Sequence, residues 1–191
     1  MINAELGHVK SLKEFYSEIV KQQTEAHGTH YCDHHAVIQK CMEDCDSYME
    51  LGTHQGATAA AAMLTNPSKI SLVDKDMSRY EKFLKPIAEK YCKKNKIELS
   101  VKQEDSTSIK STSKTDFLLI DSYHHPQHMA KELMVHQINV NKYILAHDTS
   151  IINGRPNSSL YETLETFCKT YPFKIIERNM VAEGYTLLER L

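Results

Sequence analysis

Residues 48–56 read Tyr48-Met49-Glu50-Leu51-Gly52-Thr53-His54-Gln55-Gly56. An apolar run ends in an acid, and two glycines follow four residues apart. The small-residue run Ala57-Thr58-Ala59-Ala60-Ala61-Ala62-Met63-Leu64 comes next and reads as a helix. Strand, glycine turn and helix in this order is how a parallel sheet holds a nucleotide-like ligand. Glycine permits unusual backbone angles and close approach, and the first N–H groups of a helix have no partner within it. The spacing is E-x-G-x-x-x-G rather than G-x-G-x-x-G, which bears on the ligand to expect.

Outward from this turn, strands and helical patterns alternate. Strands are expected at about Ser47–Leu51, Lys69–Asp74, Ile97–Lys102, Asp116–Asp121 and Lys142–His147. Helices are expected at Gly56–Leu64, Ser78–Lys93, Gln127–Gln137 and Leu160–Lys169, with polar loops at Ser106–Thr115 and Ile151–Ser159. Such alternation implies βαβ units and a parallel sheet. Phe173–Arg178 and Gly184–Leu188 have no helix between them, so they should form an antiparallel hairpin at one edge. The fold class is therefore α/β: a Rossmann-like, doubly wound sheet of seven mostly parallel strands with an antiparallel C-terminal hairpin. Upstream, residues 9–27 have helical apolar spacing, and a second helix is expected at His34–Glu43 with Asp33 as its N-cap. The organisation is a helical N-terminal extension, residues 1–45, and a ligand-binding domain, residues 46–191.

Bulk properties limit the function. The chain has 191 residues, 41% of them hydrophobic and 25% charged, enough for a packed core. A net charge of -2 argues against a general grip on nucleic acid. No apolar run is long enough to span a membrane, and Met1–Lys13 lacks the apolar core of a signal peptide. The odd count of five cysteines has no framework spacing, which points to reduced thiols in the cytoplasm. Cys41 and Cys45, four apart, should share a helix face. The run His30-Tyr31-Cys32-Asp33-His34-His35 does not match a paired zinc knuckle. His34 or His35 could instead lie over the ligand.

In an open parallel sheet the ligand crevice lies beyond the carboxyl ends of the strands. The polar residues expected there are Glu50, Asp74, Asp105, Asp121, His147 and Asp148.

These residues together resemble the class I S-adenosylmethionine-dependent methyltransferases, over roughly Ser47 to Leu191. The pair Leu119-Ile120-Asp121-Ser122-Tyr123-His124-His125 and Tyr143-Ile144-Leu145-Ala146-His147-Asp148-Thr149 is similar to the metal-assisted O-methyltransferase and cephalosporin-hydroxylase-like branch. The ending Glu183-Gly184-Tyr185-Thr186-Leu187-Leu188-Glu189-Arg190 is similar to it too. The resemblance implies S-adenosylmethionine as cofactor, bound by Glu50, Gly52, Thr53, His54, Gly56, Asp74, Asp105, Ser106, Asp121 and Tyr123. Asp74 would take the ribose hydroxyls and Asp105-Ser106 the adenine. It implies a divalent cation, Mg²⁺ or Mn²⁺, on Asp121, His147 and Asp148, and His124 as a base beside Asp121 at the reacting centre. His147 stands where catechol-type relatives usually have a carboxylate, which moves the preference towards Mn²⁺, Fe²⁺ or Zn²⁺. His54 and Gln55 stand in the glycine loop where small residues are common.

The expected activity is methyl transfer to a hydroxyl of a small molecule, with no nucleic acid and no membrane as partner. The amphipathic N-terminal helix leaves room for a homodimer contact. Two rival functions share the sheet: a nicotinamide-dependent oxidoreductase, and a subunit that keeps the cofactor fold without catalysis. A third variant dispenses with the metal and uses His124 alone as base.

Overall fold

The computed structural model describes residues 9–109, 113–152 and 154–191. Among the described residues, seven α-helices and nine strands follow in chain order. These are α1 (Leu12–His27), α2 (Asp33–Met42), β1 (Ser47–Leu51), α3 (Ala57–Met63), β2 (Lys69–Asp74), α4 (Ser78–Phe83), α5 (Lys85–Asn95), β3 (Glu98–Gln103) and β4 (Thr115–Ile120). Then come α6 (Pro126–His136), β5 (Val140–His147), the two-residue strands β6 (Ile151–Ile152) and β7 (Arg155–Pro156), α7 (Ser159–Thr170), β8 (Phe173–Asn179) and β9 (Tyr185–Arg190).

The main sheet has the order β3-β2-β1-β4-β5-β9-β8. The first five strands are parallel, while β9 pairs antiparallel with both β5 and β8. The winding reverses between β1 and β4, so the crevice of this α/β sheet opens above their carboxyl ends. Strand residues alternate between two cores, as a period of two requires. Tyr48, Ile70, Leu72, Phe117, Leu119 and Leu145 pack with α1, α2, α3 and α5. Met49, Leu51, Val73, Leu118, Ile120 and Ile144 pack with α6 and α7.

The N-terminal helices belong to the first core. Ser11 caps α1 in a reciprocal pair with Glu14, whose carboxylate takes the Ser11 N–H while the Ser11 hydroxyl takes the Glu14 N–H. Phe15, Ile19 and Ile38 are fully buried beside the alanines of α3, whose small side chains let α1 and α2 approach closely. Each such side chain contributes about 1.5–3 kcal/mol on burial.

The structure departs from the sequence reading in places. The long helix expected at Ser78–Lys93 breaks at Leu84, where φ is -96°. Pro86 explains the break: it has no N–H, and its ring collides with a carbonyl four residues back. Cys32, not Asp33, is the N-cap of α2, and the Asp33 carboxylate bonds His30 Nδ1 at 2.9 Å instead. Helix α2 ends at Met42, so Cys45 lies beyond it and shares no helix face with Cys41. The loop at 151–159 contains the β6–β7 hairpin. Part of the loop expected at 106–115 lies outside the described residues. Among the described residues, no helix is long and apolar enough to cross a membrane.

Candidate active site

A cavity of about 830 Å³ opens above the carboxyl ends of the parallel strands. Gly52, Thr53, His54, Gly56, Asp74, Asp105, Ser106, Asp121, Tyr123, His124, His147 and Asp148 all line it, so the sequence-predicted residues converge. Glu50 sits one layer below, fully buried.

The glycine turn is held at three points. Asp74 Oδ2 accepts the main-chain N–H groups of Thr53 and His54, both at 2.8 Å. Gly52 takes φ +92°, and a Cβ there would collide with the main chain of Asp121 and Ser122. Gly56 takes φ +85°, and a Cβ there would lie 2.4 Å from Leu84 Cδ2. The break between α4 and α5 thus presents Leu84 to the turn. Beneath, Tyr48 Oη donates to Glu50 Oε2 at 2.6 Å, and Glu50 Oε1 has no partner. Burial pushes the Glu50 carboxyl up to about 8 against the pull of its hydroxyl donors.

Above β4 and β5 two acids and two histidines interlock. His124 Nε2 lies 2.9 Å from Asp148 Oδ2 and 3.6 Å from Asp121 Oδ1. His147 Nδ1 lies 3.0 Å and 3.4 Å from the same two oxygens. The His124–Asp148 approach is an ion-pair contact without hydrogen-bond alignment, so the buried Nε2 is left without a hydrogen-bond partner. Burial opposes charge on every member, but mutual attraction outweighs it. Both imidazoles are raised to about 10, and both aspartates are held below the usual carboxylate range. Asp148 occupies φ +55°, a strained conformation for a non-glycine residue. Among the described residues, Asp121, His124 and Asp148 form a set whose donor atoms lie within 4.8 Å of one another. His124 thus stands in the set where the sequence reading put His147.

Other expected residues are placed differently. The Asp105 carboxylate is exposed and turned into its own loop, accepting the Thr107 N–H at 2.9 Å and hydroxyl at 2.7 Å. Ser106 is buried and donates to Glu132 Oε1. Tyr123 is 66% exposed at the rim, stacked on His125. The exposed His54 meets Arg79, Nε2 to Nη1, at 2.8 Å.

The N-terminal helices supply the opposite wall. His34 and His35 are both buried and line the cavity, and the His34 ring lies 4.1 Å from that of His147, centroid to centroid, tilted at 42°. Burial holds His34 well below its ordinary value and His35 at about 4, so both are neutral. Tyr31 stacks on His27 at 4.3 Å, and burial together with Asp121, Asp148 and Glu183 raises its phenol. Sequence reasoning singled out neither Tyr31 nor Glu183; the nearest signal was the histidine-rich run at 30–35. It also missed Glu132, fully buried on α6.

No protein-family model matches the chain, and no curated protein matches it in sequence. Solved structures do match. An O-methyltransferase from Bacillus cereus in complex with S-adenosylhomocysteine is 11% identical, with a TM-score of 0.64 over 97% of this chain and 94% of that one. A S-adenosylmethionine-dependent methyltransferase from Clostridium acetobutylicum is 11% identical, with a TM-score of 0.63 over 92% of this chain and 97% of that one. The ribosomal protein L11 methylase from Lactobacillus delbrueckii is 14% identical, with a TM-score of 0.62 over 85% of this chain and 80% of that one. The chain has the fold of the class I S-adenosylmethionine-dependent methyltransferases.

Proposed function

We propose that this chain is a S-adenosylmethionine-dependent methyltransferase that carries a methyl group to a hydroxyl of a small acceptor. The observation that carries the reading is the meeting of the Gly52–Gly56 turn, Asp74 and the Asp121–Asp148 cluster in one cavity, from strand ends far apart in sequence. The turn offers main-chain groups to the cofactor, and Asp74 holds that turn closed while facing the place of the ribose. Ser106 and Tyr123 border the adenine end. Asp105 borders it through its main chain, since its carboxylate is engaged elsewhere. Glu50 lies beneath the turn on β1, where its Oε2 accepts the Tyr48 hydroxyl.

The donor chemistry fits a divalent cation. Two carboxylates and an imidazole converge, and the buried His124 Nε2 lacks a hydrogen-bond partner. Asp121, His124 and Asp148 would hold Mn²⁺ or Mg²⁺, with His147 orienting Asp148 from the buried side. When bound, the cation lowers the pKa of the acceptor hydroxyl and fixes its direction. The protein's own residues bring the oxygen in line with the sulfonium methyl and exclude water, and positioning supplies much of the rate. His34, Tyr31 and Glu183 form the wall that the acceptor meets. Without a cation, His124 Nε2 would have to receive the acceptor's proton, but Asp121 and Asp148 already hold that imidazole in its protonated form, which favours the metal-assisted route.

Incubation with S-adenosylmethionine labelled on the methyl group and a panel of hydroxylated small molecules tests the reading, with Mn²⁺ or with chelator. A labelled ether that requires the cation supports it. Label appearing only on nitrogen would replace it.

A further inference from the structure

The α6 residues His128, Glu132 and His136 are four apart and form a polar stripe on one face, an unusual content for a helix packed on a sheet. Glu132 is fully buried. Its Oε1 accepts two hydroxyls, Ser106 Oγ at 2.5 Å and Ser122 Oγ at 2.5 Å. Ser106 follows β3 and Ser122 follows β4, and both line the cavity. His136 Nε2 holds the Ser106 carbonyl oxygen at 2.8 Å, and His128 Nε2 lies 3.2 Å from Ser106 Oγ. One carboxylate therefore ties together the two loops that flank the adenine end of the proposed cofactor site.

A serine hydroxyl has one hydrogen and two lone pairs. With both hydrogens committed to Glu132, Ser106 and Ser122 can offer only lone pairs to the cavity. A hydrogen-bond donor placed between them is satisfied, and an acceptor placed there is left unpaired. The Asp105 carboxylate is occupied in its own turn and does not compete for this role.

We infer that Glu132 is a positioning residue that fixes the polarity of Ser106 and Ser122, so that this end of the cavity selects a 6-amino purine over a 6-keto purine. The inference rests on the cofactor reading above and adds its base specificity. Glutamine is the informative replacement at position 132. Its amide can turn its NH₂ to the two serines, which then accept, and their hydrogens swing towards the cavity.

The test is calorimetric affinity for S-adenosylhomocysteine and for its 6-keto analogue, S-inosylhomocysteine. The protein as it stands is expected to prefer the amino form by about 10- to 100-fold, the usual consequence of leaving a buried polar group unpaired. In Glu132→Gln the preference should fall to a few-fold. Ser122→Ala, on a half-buried residue, provides a second variant if the first melts: it should lose affinity for the amino form and leave the keto form unchanged. A merely structural Glu132 would lower thermal stability and affect both ligands alike. That result, or equal affinities in the unaltered protein, overturns the inference while the cofactor reading stands. Absence of binding by either ligand removes the cofactor reading, and the inference with it.

Discussion

A Cβ built on Gly52 lies 2.0 Å from the main-chain oxygen of Asp121. The turn after β1 and the loop after β4 touch backbone to backbone, and they can do so only because one side chain is missing. Gly52→Ala must therefore move the Asp121 loop or leave φ +92°, so the cost combines steric displacement with left-handed strain, at least 1–3 kcal/mol. Calorimetry is expected to find S-adenosylhomocysteine binding weakened more than tenfold, with a lowered melting temperature. Unchanged affinity would mean that the contact does not shape the cavity.

Glu50 gives a pH signature. Burial raises its folded-state value to about 8 from 4.5. The folded value is the higher one, so the contribution to stability is complete below the unfolded value and is lost as pH rises through about 8. Urea denaturation between about pH 5 and about pH 9 is expected to show the unaltered protein losing on the order of 4 kcal/mol relative to Glu50→Gln. Parallel pH dependence in the two proteins would contradict the buried, partly orphaned carboxyl.

Titration with Mn²⁺ would tell the two histidines apart. His124→Ala removes a donor of the converging set and is expected to abolish measurable Mn²⁺ binding by titration. His147→Ala removes the group that orients Asp148 and is expected to weaken binding by about 10- to 100-fold. Loss of binding with His147→Ala and retention with His124→Ala would restore the ligand set read from the sequence.

The N-terminal helices are part of the fold. Phe15 is fully buried against the alanines of α3, so Phe15→Ala is expected to cost about 3–5 kcal/mol in chemical denaturation. A loss below about 1 kcal/mol would show that α1 packs loosely on the rest.

Strands β1 and β2 could be read from the sequence to the residue, because continuous apolar runs ending in an acid mark parallel strands at their ligand-bearing ends. The ends of β3, β4 and β5 moved by one or two residues, where burial gives way gradually. Pro86 is the sequence sign of the break at Leu84 within an otherwise helical pattern. The placement of the predicted residues around one cavity followed from strand order alone, since each lies at a carboxyl end. The Glu132–Ser106–Ser122 tie was not legible. Its members come from three elements, and only packing of α6 against two loop exits reveals that one carboxylate serves both. The tilted ring contact of His34 with His147 is likewise a product of how α2 lies on the sheet, since more than a hundred residues of chain separate the two.

Titration calorimetry with S-adenosylhomocysteine asks whether the cavity above β1, β2 and β4 takes the methyl-donor cofactor. Saturable one-to-one binding is expected, and Asp74→Ala, by releasing the Thr53 and His54 N–H groups, should weaken it at least tenfold. No heat with this compound, and tight binding of a nicotinamide dinucleotide in its place, would contradict that expectation.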